Sequence, residues 1–300
     1  MQPARPLVLA LCLLFALHSP DAGAVGIPRS VYSRVLMIQT VNGQGTGFTL
    51  DVDGKQYLVT AKHMVAGLQP EDTIQLRRYD AAGHLRWVAN KMKIFKCDDP
   101  VDIAVLVPRE QLTISGPLEP LSGNLVFGAD LYFVGFPFGL VNESSEPRLG
   151  GAATSPFGYI RRATLSAIKS GKTGHAVSIE LILDGYNLGG LSGSPVVLND
   201  GSKVVAVISG FQPDYGPVLT PKEIRPDEET TPEDRGSGRI VQKDGHTYRL
   251  EEPKELKDER YVMLNTGIVH AWDISHALDL IRLHPDGPKV AADFKPSLAP

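Results

Sequence analysis

Cysteine is almost missing from this sequence of 300 residues, which contains only Cys12 and Cys97. Cys12 lies in an apolar N-terminal stretch that we expect to be removed, and Cys97 then has no partner in the chain. This excludes an intrachain disulfide from the mature chain, so its stability must come from an apolar core. With 42% apolar residues, the chain can form one or two such cores.

The sequence also lacks a concentration of positive charge. Its 30 lysines and arginines are nearly balanced by 34 aspartates and glutamates, and the formal net charge is −4. Binding to nucleic acid depends on a concentrated cationic face. The charge balance therefore argues against nucleic acid as a partner.

Long apolar runs are missing except at the N-terminus, where "PLVLALCLLFAL" follows Arg5. A membrane-spanning helix needs about 20 apolar residues, so this run is too short to be a membrane anchor. The small residues Ala22, Gly23 and Ala24 then form the pattern of a cleavage site. We predict a signal peptide at residues 1–24 and an exported protein, periplasmic or secreted, with no membrane span after cleavage.

Helical periodicity is scarce, whereas glycine (30) and proline (23) are plentiful. Short apolar runs, many of them rich in β-branched residues, alternate with turn signals such as Asp53-Gly54, which is typical of an all-β chain. Two series of about six strands predict two packed six-stranded β-barrels, followed by a short C-terminal helix in "ISHALDLIRL". The predicted regions are a first barrel at 25–110, a linker at 111–125, a second barrel at 126–283 and a tail at 284–300.

One segment of the second barrel, residues 212–260, is rich in proline and charged residues. Its composition predicts a charged, loop-like insertion. Within it, "RIVQKDGHTYRL" alternates around Asp244-Gly245 and predicts an extra hairpin. The segment is interpreted either as an element with a function of its own or as a solvated insertion without one.

A serine in a glycine-rich setting points to nucleophilic chemistry. Ser192 lies in "DGYNLGGLSGSPVV", but a serine hydroxyl is a poor nucleophile unless a base takes its proton and an acid orients that base. His63 directly follows the strong strand pattern "QYLVT", and Asp102 directly precedes "IAVLV". These are the candidates for the base and the acid.

The chain resembles the trypsin-like (chymotrypsin-fold) serine peptidases, especially bacterial HtrA-type domains, here without a PDZ domain. The resemblance spans about residues 30 to 283 and keeps the family's order of histidine, aspartate and serine. Its motifs are "GTGFTLDVDGKQYLVTAKHMV", "VDIAVL", "GFPFGL", "GLSGSPVV" and "NTGIVHAWDISHAL".

The resemblance implies a role for each matching residue. Ser192 is the expected nucleophile, His63 the general base and acid, and Asp102 the residue that orients His63. The N–H groups of Gly190 and Ser192 are expected to form the oxyanion hole. Peptides or proteins are the implied substrates, and neither a metal nor an organic cofactor is implied.

The substrate pocket is expected to have Tyr186 and Asn187 at its base and Ser209, Gly210 and Phe211 along its wall. No acid is placed at that base, so cleavage after arginine or lysine is not favoured. Tyr186 favours small or medium apolar substrate side chains.

One departure from the family pattern is Leu191, which stands where trypsin-type enzymes carry an aspartate that pairs with a new N-terminus. Activation by insertion of an N-terminus is therefore not expected. Leu191 and the unusual Tyr186 leave a second function open, a catalytically latent or inactive protease-like protein that serves as a binding module or scaffold.

Overall fold

The computed structural model describes most of the chain after the predicted signal peptide, which lies outside it. The described residues are 26–116, 118–141, 155–173, 176–217, 220–223, 240–243, 246–251 and 261–296. Within these ranges, no helix combines the length and apolar character needed to span a bilayer. The chain divides into two compact units, one formed by residues 1–210 and 269–300 and the other by residues 211–268.

Six antiparallel strands in the first half of the larger unit form a closed barrel, as predicted. After a short helix α1 (Arg29–Tyr32), they are β1 (Val35–Thr40), β2 (Gly43–Val52), β3 (Lys55–Thr60), β4 (Thr73–Tyr79), β5 (Leu85–Lys96) and β6 (Ala104–Pro108). Their order around the barrel is β1-β2-β3-β6-β5-β4, and β4 pairs with β1 to close it. The predicted hairpin at Asp53-Gly54 joins β2 to β3, with both residues at positive φ.

A second ring of six strands follows, in the larger unit except for residues 211–217 of β12 and 261–268 of β16, which are counted with the smaller unit. These strands are β8 (Asp130–Gly135), β9 (Tyr159–Thr173), β10 (Ala176–Gly185), β11 (Pro195–Leu198), β12 (Lys203–Pro217) and β16 (Tyr261–Asp273). Their order is β11-β8-β9-β10-β16-β12, and β11 also pairs with β12, which closes the ring. The short strand β7 (Glu119–Pro120) lies in the predicted linker and joins β12 in parallel. The prediction of an all-β fold with two six-stranded barrels is confirmed.

The predicted C-terminal helix is α2 (Ser275–Leu283), directly after β16. The Asp273 carboxylate accepts a hydrogen bond from the backbone N–H of Ser275 at 2.8 Å, which satisfies a donor at the start of the helix. Ala277 and Ile281 lie on its buried face.

The smaller unit contains a three-stranded antiparallel sheet, of which the sequence predicted two strands as a hairpin and missed the third. Its strands are β13 (Thr220–Glu223), β14 (Ile240–Lys243) and β15 (His246–Glu251), in the order β13-β15-β14. The predicted hairpin is confirmed by the pairing of β14 with β15, although its turn, Asp244-Gly245, lies outside the described residues. Proline and charge predicted a loop, but pairing with β15 gives β13 a place in the sheet.

The first barrel contains a buried ion pair. The side chain of Arg34 is 1% exposed and pairs with Asp51, whose side chain is 18% exposed. Asp51 also accepts hydrogen bonds from Gln56 Nε2 at 3.0 Å and from Ser115 Oγ at 2.8 Å. Of the three side chains that donate to this carboxylate, only Arg34 carries a charge, so the Asp51 charge depends on Arg34 for compensation.

We expect Arg34→Met to destabilise the fold by about 3 kcal/mol or more, because it leaves the Asp51 charge partly buried without a counter-ion. Urea unfolding followed by circular dichroism measures this change. Arg86→Met is the matched control, since Arg86 is largely exposed and pairs with Asp80, whose carboxylate keeps its backbone N–H donors. Equal losses in the two variants would contradict the importance of the buried pair.

Candidate active site

His63 and Asp102 meet because their strands are neighbours. His63 lies in a 3-10 helix, Lys62–Val65, that starts two residues after β3, and Asp102 lies two residues before β6. The register of β3 and β6 pairs Thr60 with Ala104, so the two ends come together. His63 Nδ1 lies 2.7 Å from Asp102 Oδ2, and the His63 backbone N–H donates to Asp102 Oδ1 at 2.8 Å. The carboxylate therefore holds both the ring and the backbone of the histidine.

Ser209 is a third donor to the same carboxylate, a role that the sequence did not indicate. Its hydroxyl donates to Asp102 Oδ2 at 2.6 Å. Burial by itself raises the pKa of Asp102, but the hydrogen bonds from His63 and Ser209, with the charge that His63 can carry, more than offset it. The net pKa of Asp102 lies below its ordinary value, so the group is a carboxylate at neutral pH.

Ser192 lies close to this network, but its hydrogen-bond acceptor is the backbone of Ser209 and not the imidazole of His63. Its hydroxyl donates to the Ser209 backbone carbonyl at 3.2 Å. Among the hydrogen bonds of the described residues there is none between Ser192 Oγ and His63 Nε2. Ser209, on β12 of the second barrel, therefore contacts both the predicted nucleophile and the predicted acid, and its bond to Asp102 links the two barrels.

The loop that carries Ser192 can be built only with glycine at position 190. Gly190 has φ of +92°, and a Cβ atom there would lie 2.3 Å from the carbonyl oxygen of Phe136. Within the described part of the chain, the N–H groups of Gly190 and Ser192 donate no hydrogen bond. Both predicted oxyanion-hole donors are thus available to a ligand.

Thr46, in the "GTGF" motif, holds this loop from the first barrel. Its hydroxyl donates to the Gly190 carbonyl at 2.8 Å and accepts from the Phe136 N–H at 3.2 Å. Its backbone N–H donates to the Ser192 carbonyl at 2.9 Å. The motif was visible in the sequence, but its threonine bonds residues 90 and 144 positions away, Phe136 and Gly190, and these contacts required the fold.

Leu191, the residue between the two oxyanion-hole candidates, is fully buried. It belongs to the core of the second barrel together with Phe133 and Val196. An apolar side chain here anchors the loop by packing, where trypsin-type enzymes use an aspartate.

The predicted pocket residues have different surroundings. Tyr186 is 52% exposed, whereas Asn187 is buried and accepts a hydrogen bond from the Leu188 N–H at 2.9 Å. A Cβ atom added at Gly210, next to Ser209, would meet nothing within 4 Å, so the space beside this strand is open. Phe211, the next residue of β12, is partly buried and is the first residue of the smaller unit.

The sequence model of the trypsin-like peptidase domain matches residues 45–207, which is more than half of the chain. The chain belongs to the trypsin-like peptidase family. The matched residues include His63, Asp102 and Ser192. The trypsin-like peptidase domain makes the chain a serine-type endopeptidase by class.

Solved structures resemble this trypsin-like peptidase at low identity. The active form of the Rv3671c protease from Mycobacterium tuberculosis is 16% identical, with 93% of each chain covered and a TM-score of 0.49. The HtrA-type protease AlgW with a tripeptide is also 16% identical, with 84% of this chain and 60% of that chain covered and a TM-score of 0.47. No curated protein sequence matches the chain. Likenesses this distant carry no argument about activity.

We expect Thr46→Val to lower peptidase activity, because the nearly isosteric valine cannot bond Gly190 or Phe136. Each backbone group left unpaired costs roughly 1–3 kcal/mol. The measurements are ester hydrolysis and urea unfolding. Thr49→Val is the matched control, since Thr49 is equally buried in β2 but bonds Thr113. Stability should fall in both variants and turnover mainly in Thr46→Val; equal turnover in the two would contradict the positioning role.

We expect the free energy of unfolding of Ser209→Ala to fall less than that of the parent protein as the pH is lowered. A carboxylate with a lowered folded-state pKa stabilises the fold fully above its unfolded pKa of about 4, and the effect is lost as pH falls through the folded-state pKa. Ser209→Ala removes one hydrogen bond that lowers the pKa of Asp102. The difference in unfolding free energy between the parent and the variant should therefore be larger at about pH 7 than at about pH 3. A difference that does not change between these pH values would contradict the argument.

Proposed function

We propose that this protein is an exported serine endopeptidase that hydrolyses peptide bonds through an acyl-enzyme, with His63, Asp102 and Ser192 as its catalytic residues. The observation that carries the proposal is the set of hydrogen bonds that Asp102 receives from the His63 ring, the His63 N–H and the Ser209 hydroxyl. A carboxylate held in this way orients an imidazole for proton transfer.

Asp102 determines which nitrogen of His63 carries the proton. Because the carboxylate accepts from Nδ1, the proton of the neutral ring is on Nδ1 and Nε2 is left as the base. The same carboxylate stabilises the imidazolium that forms when Nε2 takes the nucleophile's proton. The His63 side chain is 47% exposed, so a substrate can reach the imidazole.

Ser192 attacks the carbonyl carbon of the scissile peptide while its proton passes to His63 Nε2. For this step the hydroxyl turns from the Ser209 carbonyl, its present acceptor, to the imidazole. The resulting oxyanion accepts hydrogen bonds from the N–H groups of Gly190 and Ser192. In sites of this kind, loss of one such donor lowers the rate by roughly 10²–10³-fold.

Collapse of the tetrahedral intermediate breaks the C–N bond, and His63 gives its proton to the leaving amine. The acyl group then remains as an ester on Ser192 Oγ. A water molecule, deprotonated by His63 Nε2, attacks this ester; the bond to Ser192 Oγ breaks, His63 returns the proton to Oγ, and the acid product leaves. The residues present are sufficient for each proton transfer in this cycle.

The loop does not depend on a new N-terminus in this proposal. Leu191 is buried where an aspartate would be needed for that activation, and Thr46 already holds the backbone on both sides of it. The apolar segment within residues 1–24 supports export of the protein.

A latent or inactive protease-like binding protein is the second candidate function. The observation in its favour is the Ser192 hydroxyl, which donates to Ser209 and not to His63. If that bond persists in solution, the nucleophile keeps its proton and the site is silent.

A fluorophosphonate probe, which reacts only with an activated serine, separates the two functions. We expect it to label the mature protein and to fail on Ser192→Ala. Ser194→Ala is the matched control and should label normally, because the Ser194 hydroxyl is buried and makes no hydrogen bond among the described residues. No labelling of the parent protein, or equal labelling of the folded Ser192→Ala variant, would contradict the proposed activity.

A further inference from the structure

Arg161 points toward the interior of the second barrel. It lies on β9 in phase with Ala163 and Leu165, which are both in the barrel core. Its cross-strand partner on β8 is Phe133, another core residue, and paired residues share a face of the sheet. Arg162 has the opposite orientation and is largely exposed.

The chain that leads to Ser192 passes beside Arg161. The register pairs Ala163 with Gly185, so the residues after Gly185 pass beside Arg161. The guanidinium carbon of Arg161 is 5.8 Å from the ring centroid of Tyr186, a cation–π distance. This places a positive charge at the tyrosine that forms the predicted base of the substrate pocket.

The charge of Arg161 has no anionic partner in the described part of the chain. Its Nε atom is buried without a hydrogen bond, and Arg161 is in none of the ion pairs there. The neighbouring Arg162, by contrast, donates to Asp130 Oδ1 at 3.1 and 2.7 Å. A partly buried guanidinium without an acceptor is poorly compensated, and a planar carboxylate is the group that suits it.

We propose that Arg161 binds the carboxylate of an aspartate or glutamate side chain in the substrate, so that the enzyme cleaves after acidic residues. This inference rests on the proposed endopeptidase function and names its substrate class. Tyr186 holds the guanidinium by its ring face, and an incoming carboxylate accepts hydrogen bonds from its terminal nitrogens and supplies the missing counter-charge. The sequence favoured apolar substrate side chains because nothing in it shows that Arg161 faces this pocket.

Peptidyl phosphonates test the inference, since they react with Ser192 only after their first side chain occupies the pocket. Two probes that differ only in glutamate or glutamine at that position compare charge at equal size. We expect the glutamate probe to react roughly ten- to a hundredfold faster, as for hydrogen bonds to a charged group. Arg161→Met should remove this preference, and Arg161→Glu should favour a lysine probe. Arg162→Met, with the same change of charge on the other face, should retain the preference.

A plain fluorophosphonate without a peptide, used on every variant, separates failure of this inference from failure of the proposed function. Equal rates with the glutamate and glutamine probes, while the plain probe still labels Ser192, would overturn the acidic preference alone. An Arg161→Met variant that is folded in urea titrations but slowed equally toward all probes would also overturn it. If the plain probe does not label the parent protein, the proposed function fails and this inference fails with it.

Discussion

The Asp102 carboxylate is the group on which the site depends. It lies just before a strand of the first barrel, yet it receives donors from both barrels, the ring and N–H of His63 from one and the Ser209 hydroxyl from the other. Burial opposes its charge, and these donors outweigh burial. The same contacts that hold the imidazole therefore also join the two barrels, so the proposed catalytic geometry and the packing of the barrels support each other.

The nucleophile loop is held by sterics as much as by hydrogen bonds. A Cβ atom at Gly193 would lie 2.0 Å from the carbonyl oxygen of Thr46, and one at Gly190 would lie 2.3 Å from that of Phe136. The loop passes this close to two other segments because it has no side chains at these points. Thr46 then uses the closeness to bond the loop before and after the buried Leu191. Preorganised backbone donors of this kind lose little free energy to rearrangement during reaction.

Charge near the pocket follows from strand phase. Arg161 and Arg162 are adjacent in sequence and identical in chemistry, but side chains alternate along β9. Arg162 therefore forms an exposed pair with Asp130, whereas Arg161 lies against Tyr186. A slip of one residue in the β8–β9 register would exchange them. If Arg161 sets the substrate preference as proposed, that preference depends on a register that leaves the overall architecture unchanged.

The sequence by itself determined the parts of this protein that depend on neighbouring residues. Alternating apolar runs and Asp53-Gly54 determined the strands of the first barrel, and "ISHALDLIRL" determined the last helix, because these patterns reflect local backbone preference and one-sided burial. The order and settings of His63, Asp102 and Ser192 were also visible, as motifs of a known family.

Only the tertiary structure decided what lies between distant segments. It showed that Ser209 bonds Asp102, that Thr46 bonds the nucleophile loop, and that Arg161 faces Tyr186. It also paired β13 with β15 in a segment whose charge and prolines predicted a loop. Each of these contacts joins residues that are brought together by barrel closure and strand register. Closure and register leave no signal in the composition or periodicity of a single segment, so the sequence alone could not show the contacts.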